Sequence, residues 1–79
     1  MKYLVRGAES EAMVLALLKL TRITSENQID AINDHLCKGH TVEIAAIFNG
    51  IKEQNLCRAL SILDLKAGIA EEINELKKA

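Results

Sequence analysis

The chain has 79 residues, a formal net charge of −1 and 49% hydrophobic residues, with Tyr3 and Phe48 as its only two aromatic side chains besides histidine. This length suits one domain over residues 1–79, and a composition with no proline and four glycines favours an all-α fold with an aliphatic core. The charge balance lacks the strongly basic footprint usual for nucleic-acid binding, which counts against tight DNA binding by a single copy.

Membrane and disulfide-stabilised classes are also disfavoured. The longest apolar run, residues 12–18, is too short to cross a bilayer, and no small-residue cleavage site follows it. Cys37 and Cys57 lack paired spacing, so we expect two buried, reduced thiols. The sequence therefore predicts a cytoplasmic protein with no membrane partner.

The first predicted helix covers about residues 8–20, after a short arm over residues 1–6 with fraying ends. Ser10 or Gly7 opens this helix, and it has almost no polar face, which is typical of a helix buried on more than one side. A chain of this size buries only about 60–65% of its unfolded surface and is marginal alone. We therefore expect this helix to join copies into a homo-oligomer, a dimer or larger, although burial within one chain is the alternative. The predicted interface residues are Met13, Leu15, Leu17 and Leu18.

The second predicted helix has the clearest ends. Ser25 caps it and Gln28 completes a capping box, while Gly39 supplies the left-handed position that follows its last turn. Thr41 then caps a third helix, which ends at Asn49 and Gly50.

Two more helices complete the predicted bundle of about five. The fourth begins near Lys52 or Glu53, runs to about Lys66 and stops at Gly68. The fifth covers residues 69–78, with Glu71, Glu72 and Glu75 on a solvated face.

Residues 41–66 match the spacing of a DNA-binding helix-turn-helix, with Val42 as its first position. Asn49 stands at position eight, which is usually apolar, and we expect neighbouring Phe48 to compensate. The alternative is two helices of an ordinary small bundle. The other expected small or inward-facing positions, including the turn glycine, are Ala45, Ala46, Gly50, Ile51, Leu56 and Ala59.

In that geometry, outward side chains at the start of the fourth helix would face base edges. Arg and Lys suit guanine, whereas Asn and Gln suit adenine; the alternative is a solvated polar face. The predicted base-facing residues are Lys52, Gln54, Asn55, Arg58 and Ser61. The predicted phosphate contacts, which position a protein on DNA without specifying sequence, are Lys38, His40, Thr41 and Lys66.

Catalysis and metal binding find little support. His35, Cys37 and His40 are close in sequence, but positions 35 and 37 of a helix point about 200° apart. We expect a surface histidine and a buried thiol there, with no metal and no cofactor. No glycine-rich phosphate loop is present, so the sequence indicates no enzyme and no small-molecule substrate.

Residues 29–63 carry a family resemblance. A helix ends in Leu36, Gly39, His40 and Thr41, and a short helix with Glu43 and Ile44 follows before a turn and a helix closing on Leu60 and Leu63. This stretch resembles the PapB-like adhesin (fimbrial) biosynthesis transcription regulators of enterobacteria. The resemblance implies a small helical DNA-binding protein that controls pilus genes as an oligomer on AT-rich promoter sites.

Two departures from that family reduce positive charge. Val42 follows Thr41 where basic residues are common, and residues 52–56 read KEQNL in place of a polar and aromatic helix start. Two hypotheses follow. The first is a sequence-specific transcription regulator of fimbrial genes, and the alternative is an interaction module or antagonist of the same fold that forms mixed oligomers and binds DNA poorly.

Overall fold

The computed structural model describes residues 1–78, and no strand occurs among them. The all-α prediction is therefore confirmed. The helices are α1 (Glu11–Leu18), α2 (Glu26–Leu36), α3 (Val42–Phe48) and α4 (Glu53–Lys78). Residues 1–78 thus contain four helices rather than about five, because the predicted fourth and fifth helices are one continuous helix.

The core is aliphatic, as the composition requires. Helices α2, α3 and α4 pack against one another, and α1 covers the side formed by α2 and α4. The buried apolar residues are Leu4, Val14, Leu17, Leu18, Ala31, Ile32, Leu36, Ala45, Ala46, Leu56, Ala59, Leu60 and Leu63. Small alanines on α3 and α4 allow these two helices to approach closely.

Hydroxyl caps fix two of the helix starts. The Ser10 hydroxyl accepts from the Met13 N–H at 3.1 Å, and the Thr41 hydroxyl accepts from the Ile44 N–H at 3.2 Å. Ser25 precedes α2 but makes no side-chain cap. The predicted capping box is wrong because the Gln28 amide instead donates to the Asn55 carbonyl of α4, at 3.3 Å.

Gly68 does not end a helix, contrary to expectation. A Cβ atom built at this residue would lie 2.5 Å from Cε2 of Tyr3. A glycine inside a helix costs about 1 kcal/mol relative to alanine, but it does not break the hydrogen-bond ladder. Gly68 is therefore a notch in α4 that admits the Tyr3 ring.

The N-terminal arm is fastened to α4 rather than frayed. The Asp64 carboxylate accepts from the backbone N–H groups of Lys2, Tyr3 and Leu4, at 2.9, 2.8 and 2.8 Å. Burial opposes ionisation of Asp64, but the three backbone donors outweigh it and hold the pKa of Asp64 below its usual value. This clamp brings Leu4 into the core.

The four predicted interface residues of α1 divide into two pairs. Leu17 and Leu18 lie in the core of the same chain, whereas Met13 and Leu15 are exposed. The nearly continuous apolar sequence of α1 therefore reflects burial within the chain for one pair, and only Met13 and Leu15 remain accessible to a second copy.

The two cysteines differ in environment. Both are free. Cys37 is half-buried and Cys57 is exposed, so the prediction of two buried thiols is wrong for Cys57 and holds only in part for Cys37. Burial, with Glu11 and Glu9 nearby, raises the pKa of the Cys37 thiol. None of the helices in residues 1–78 combines the length and the hydropathy needed to cross a membrane.

Candidate nucleic-acid interface

The segment between α2 and α3 is a tightly bonded joint. Gly39 has φ +83°, as predicted, and the His40 N–H donates to the Asp34 carbonyl at 3.0 Å. The His35 ring donates from Nδ1 to the His40 carbonyl at 2.8 Å. His35 is buried, so it is not the surface histidine expected in this segment. The Gly-His-Thr sequence thus fixes the direction in which α3 leaves α2.

A second glycine corner connects α3 to α4. Gly50 has φ +65°, and its N–H donates to the Ile47 carbonyl at 3.3 Å. The Ile51 N–H reaches back to the Ala46 carbonyl at 3.1 Å. A positive φ is costly for residues with a Cβ, so glycine suits this position. The inward-facing residues around the corner are buried or half-buried: Ala45, Ala46, Ile51, Leu56 and Ala59.

Asn49 holds this corner through its side chain. Its amide donates to the Asp34 carboxylate at 2.9 Å and to the Ala45 carbonyl at 2.8 Å. The Asn49 hydrogen bond, helped by Lys38, lowers the pKa of Asp34. Phe48 is 70% exposed, so it does not take the apolar role expected of it. A polar residue is accommodated at this position because its amide bridges α2 and α3.

The start of α4 presents a polar surface. We call Lys52, Gln54, Asn55, Arg58 and Ser61 the leading face, and all five are exposed. Among residues 1–78, the side chains form one ion pair, between Lys38 and Asp34 at 3.3 Å. Within that part of the chain, Lys52 and Arg58 therefore have no carboxylate partner. The leading face is therefore free to meet a partner.

The four residues predicted to contact phosphates lie in different environments. Lys38 is paired with Asp34, the Thr41 hydroxyl caps α3, and the His40 ring packs edge-on against Phe48 with centroids 5.9 Å apart. His40 Nδ1 is buried without a hydrogen-bond partner among the described residues. Lys38, His40 and Thr41 therefore mainly stabilise the connection between α2 and α3. Lys66 is half-buried beside the leading face.

A groove beside the leading face adds one basic residue that the sequence did not indicate. Arg58 lines one part of it and Lys66 the next part, and Ile23, Ser25, Gln28 and Ile62 are common to both. Arg22 lines the same stretch as Lys66. Arg22 lies 36 residues before Arg58 in the chain, and only the packing of α2 on α4 brings their surfaces together.

The remaining chemistry is limited. Among residues 1–78, no three histidine, cysteine or acidic side chains lie close enough together to hold a metal ion. His35 and His40 belong to the joint described above. The residues in this region can donate and accept hydrogen bonds and supply positive charge, which is the chemistry of binding.

The chain matches no protein-family profile, no curated protein and no solved structure at a significant level. Support for a function therefore comes from the geometry of α3 and α4 and from the sequence resemblance of residues 29–63.

Proposed function

We propose that this chain is a sequence-specific DNA-binding transcription regulator, in which α3, the Gly50 corner and the first half of α4 act as a helix-turn-helix over about residues 41–66. The observation that carries the proposal is the leading face: five exposed polar side chains at the start of a helix that follows a glycine corner. A recognition helix uses its N-terminal residues to contact base edges in the major groove.

Each member of the leading face has a suitable partner on DNA. Arg58 is suited to bidentate hydrogen bonds with guanine, and Gln54 and Asn55 to bidentate hydrogen bonds with adenine. Lys66 and Arg22, beside the leading face, would contact phosphates on its flank. The unpaired N–H groups and positive dipole at the start of α4 favour a nearby phosphate as well.

The resemblance to fimbrial regulators gives the proposal its biological setting. It suggests AT-rich promoter sites of pilus genes as targets, and a regulator of this kind acts in the cytoplasm without catalysing a reaction. A net charge of −1 leaves each copy with a weak electrostatic attraction to DNA. Several copies bound to neighbouring sites would add their contacts, so the working form is an oligomer.

The same charge supports a second candidate from another class. Glu53 is exposed among the leading-face residues, where it would repel phosphate. An interaction module or antagonist of this fold would form mixed oligomers with a more basic relative and bind DNA poorly itself. Purified protein that lowers DNA binding by such a relative, without binding DNA alone, would identify this second function.

Fluorescence anisotropy with an AT-rich duplex at several salt concentrations tests the first function. Arg58→Ala should weaken binding by about 1–3 kcal/mol and relax sequence preference. Lys78→Ala is the matched control, because it removes the same charge about 30 Å further along α4 at a rise of 1.5 Å per residue. Equal losses in the two variants would show a non-specific charge effect, and unchanged binding by Arg58→Ala would remove the leading face from the interface.

A further inference from the structure

The second half of α4 extends beyond the core. Leu63 is the last buried residue within the described part of α4, and residues 69–78 are exposed although they are helical. An isolated helical segment of this length is marginal in water. A partner that packs against residues 69–78 would stabilise the helix there.

One face of this segment is apolar. Five aliphatic side chains, each between 43% and 69% exposed, follow one another at spacings of three, four, four and three residues. At 100° per residue they form one stripe, centred about 130° around α4 from the stripe that enters the core. Ile73, at its edge, also lines a groove with Met13 and Leu17 of α1. We call these residues the outer stripe: Ile62, Leu65, Ile69, Ile73 and Leu76.

The surface area of the chain also indicates a missing partner. A compact monomer of 8.7 kDa has an accessible surface of about 4,700 Å². This chain has 5402 Å² and extends 44 Å along its longest axis. The outer stripe exposes on the order of 500 Å² per chain, so a symmetric pair would cover on the order of 1,000 Å², the lower bound for a specific interface.

The charges beside the outer stripe are complementary to those of a second copy. Glu72 lies along one edge of the stripe and Lys77 along the other, five residues later. In a parallel two-helix coiled coil this is the separation at which side chains from opposite edges of the two helices meet.

We propose that a second copy of this chain docks on the outer stripe, with the two α4 helices parallel and Glu72 of each copy beside Lys77 of the other. The pairing itself does not require DNA binding. Its biological use rests on the proposed function, because parallel α4 helices place both leading faces at the same end of the dimer. Arg58 and Asn55 lie one and two turns before Ile62 on the same side of α4, so a duplex would reach them where the two helices diverge. The oligomer interface then lies on α4 rather than on α1.

Sedimentation velocity over a range of protein concentrations tests the pairing. The wild type should form a dimer, and Ile73→Glu should raise the dimer Kd at least about tenfold, because a carboxylate would have to be desolvated in the seam. Leu15→Glu is the matched control, since it places the same charge on an exposed leucine of α1. A monomeric wild type, or dissociation by Leu15→Glu but not by Ile73→Glu, would overturn the proposal.

Charge exchange tests the orientation. Glu72→Lys and Lys77→Glu should each weaken the dimer, and the double variant should restore it, because parallel edges would again carry opposite charges. A double variant that is weaker than both single variants would exclude the parallel arrangement. Arg58→Ala should keep the dimer while it weakens DNA binding. A wild-type dimer without DNA affinity would therefore refute the proposed function alone, and a monomer that binds DNA would refute the pairing alone.

Discussion

The contact between Tyr3 and Gly68 can be tested by replacing the glycine. In an exposed helix interior, glycine to alanine stabilises by about 0.5–1 kcal/mol. In this chain the new Cβ would lie 2.5 Å from Cε2 of Tyr3, so the ring must leave the notch. Gly68→Ala therefore combines a gain in helix propensity with the loss of the tyrosine contact.

The size of that loss follows from exposure. The Tyr3 side chain is 43% exposed, and with 150–250 Å² for full burial it keeps on the order of 100 Å² from water. At 25 cal/mol per Å², displacing it costs about 2–3 kcal/mol as an upper bound. Gly68→Ala should therefore destabilise the wild type by about 1–2 kcal/mol, and the same change should stabilise a Tyr3→Ala background by about 0.5–1 kcal/mol.

Urea unfolding, followed by circular dichroism, of the wild type, Gly68→Ala, Tyr3→Ala and the double variant measures the coupling free energy between the two residues. We expect a coupling free energy of about 2 kcal/mol, with Gly68→Ala changing sign between backgrounds. Ala16→Gly, at an exposed site in α1, should cost the same in both backgrounds and serves as the control. If Gly68→Ala is equally stabilising with and without the tyrosine, the ring does not occupy the notch and the reasoning is refuted.

Three further predictions concern the corner and the clamps. Nothing lies within 4 Å of a Cβ built at Gly50, so substitutions there should cost only backbone strain. Thermal unfolding should show a loss of about 1–2 kcal/mol for Gly50→Ala and a smaller loss for Gly50→Asn. Equal losses in the two variants would argue against a positive φ. Asn49→Ala should raise the pKa of Asp34 in an NMR titration, and an unchanged pKa would exclude the side-chain bridge. Asp34 and Asp64 have lowered pKa values, so their contribution to stability is present above about pH 4, the unfolded value, and is lost as pH falls through the folded values. Asp64→Asn should flatten this acid-side loss in unfolding measured against pH, and an unaltered pH profile would contradict the clamp.

Local signals in the sequence were sufficient for much of the fold. Gly39 and Gly50 take the positive φ expected of glycines that follow helices, and Ser10 and Thr41 cap α1 and α3 as their residue types predict. These features depend on a few neighbouring residues, so chain order is enough to find them. The five residues predicted for base contact are each exposed, and their role in binding DNA stays a prediction.

Features that depend on contacts between residues far apart in the chain could not be predicted from the sequence. Gly68 has the sequence context of a helix stop, and only Tyr3, 65 residues earlier, shows that it is a notch. The Asp64 clamp likewise joins α4 to the chain start. Leu17 and Leu15 have the same hydropathy in sequence, and packing on α4 and α2 decides that one is buried and the other exposed.

The most direct test of the central proposal is an NMR titration of ¹⁵N-labelled protein with an AT-rich duplex. We predict that the largest amide shift changes fall at residues 50–61, with smaller changes at 22–28 and almost none over residues 70–78. Shift changes centred on any other surface, or none at all under low salt, would contradict the assignment of the leading face to DNA recognition.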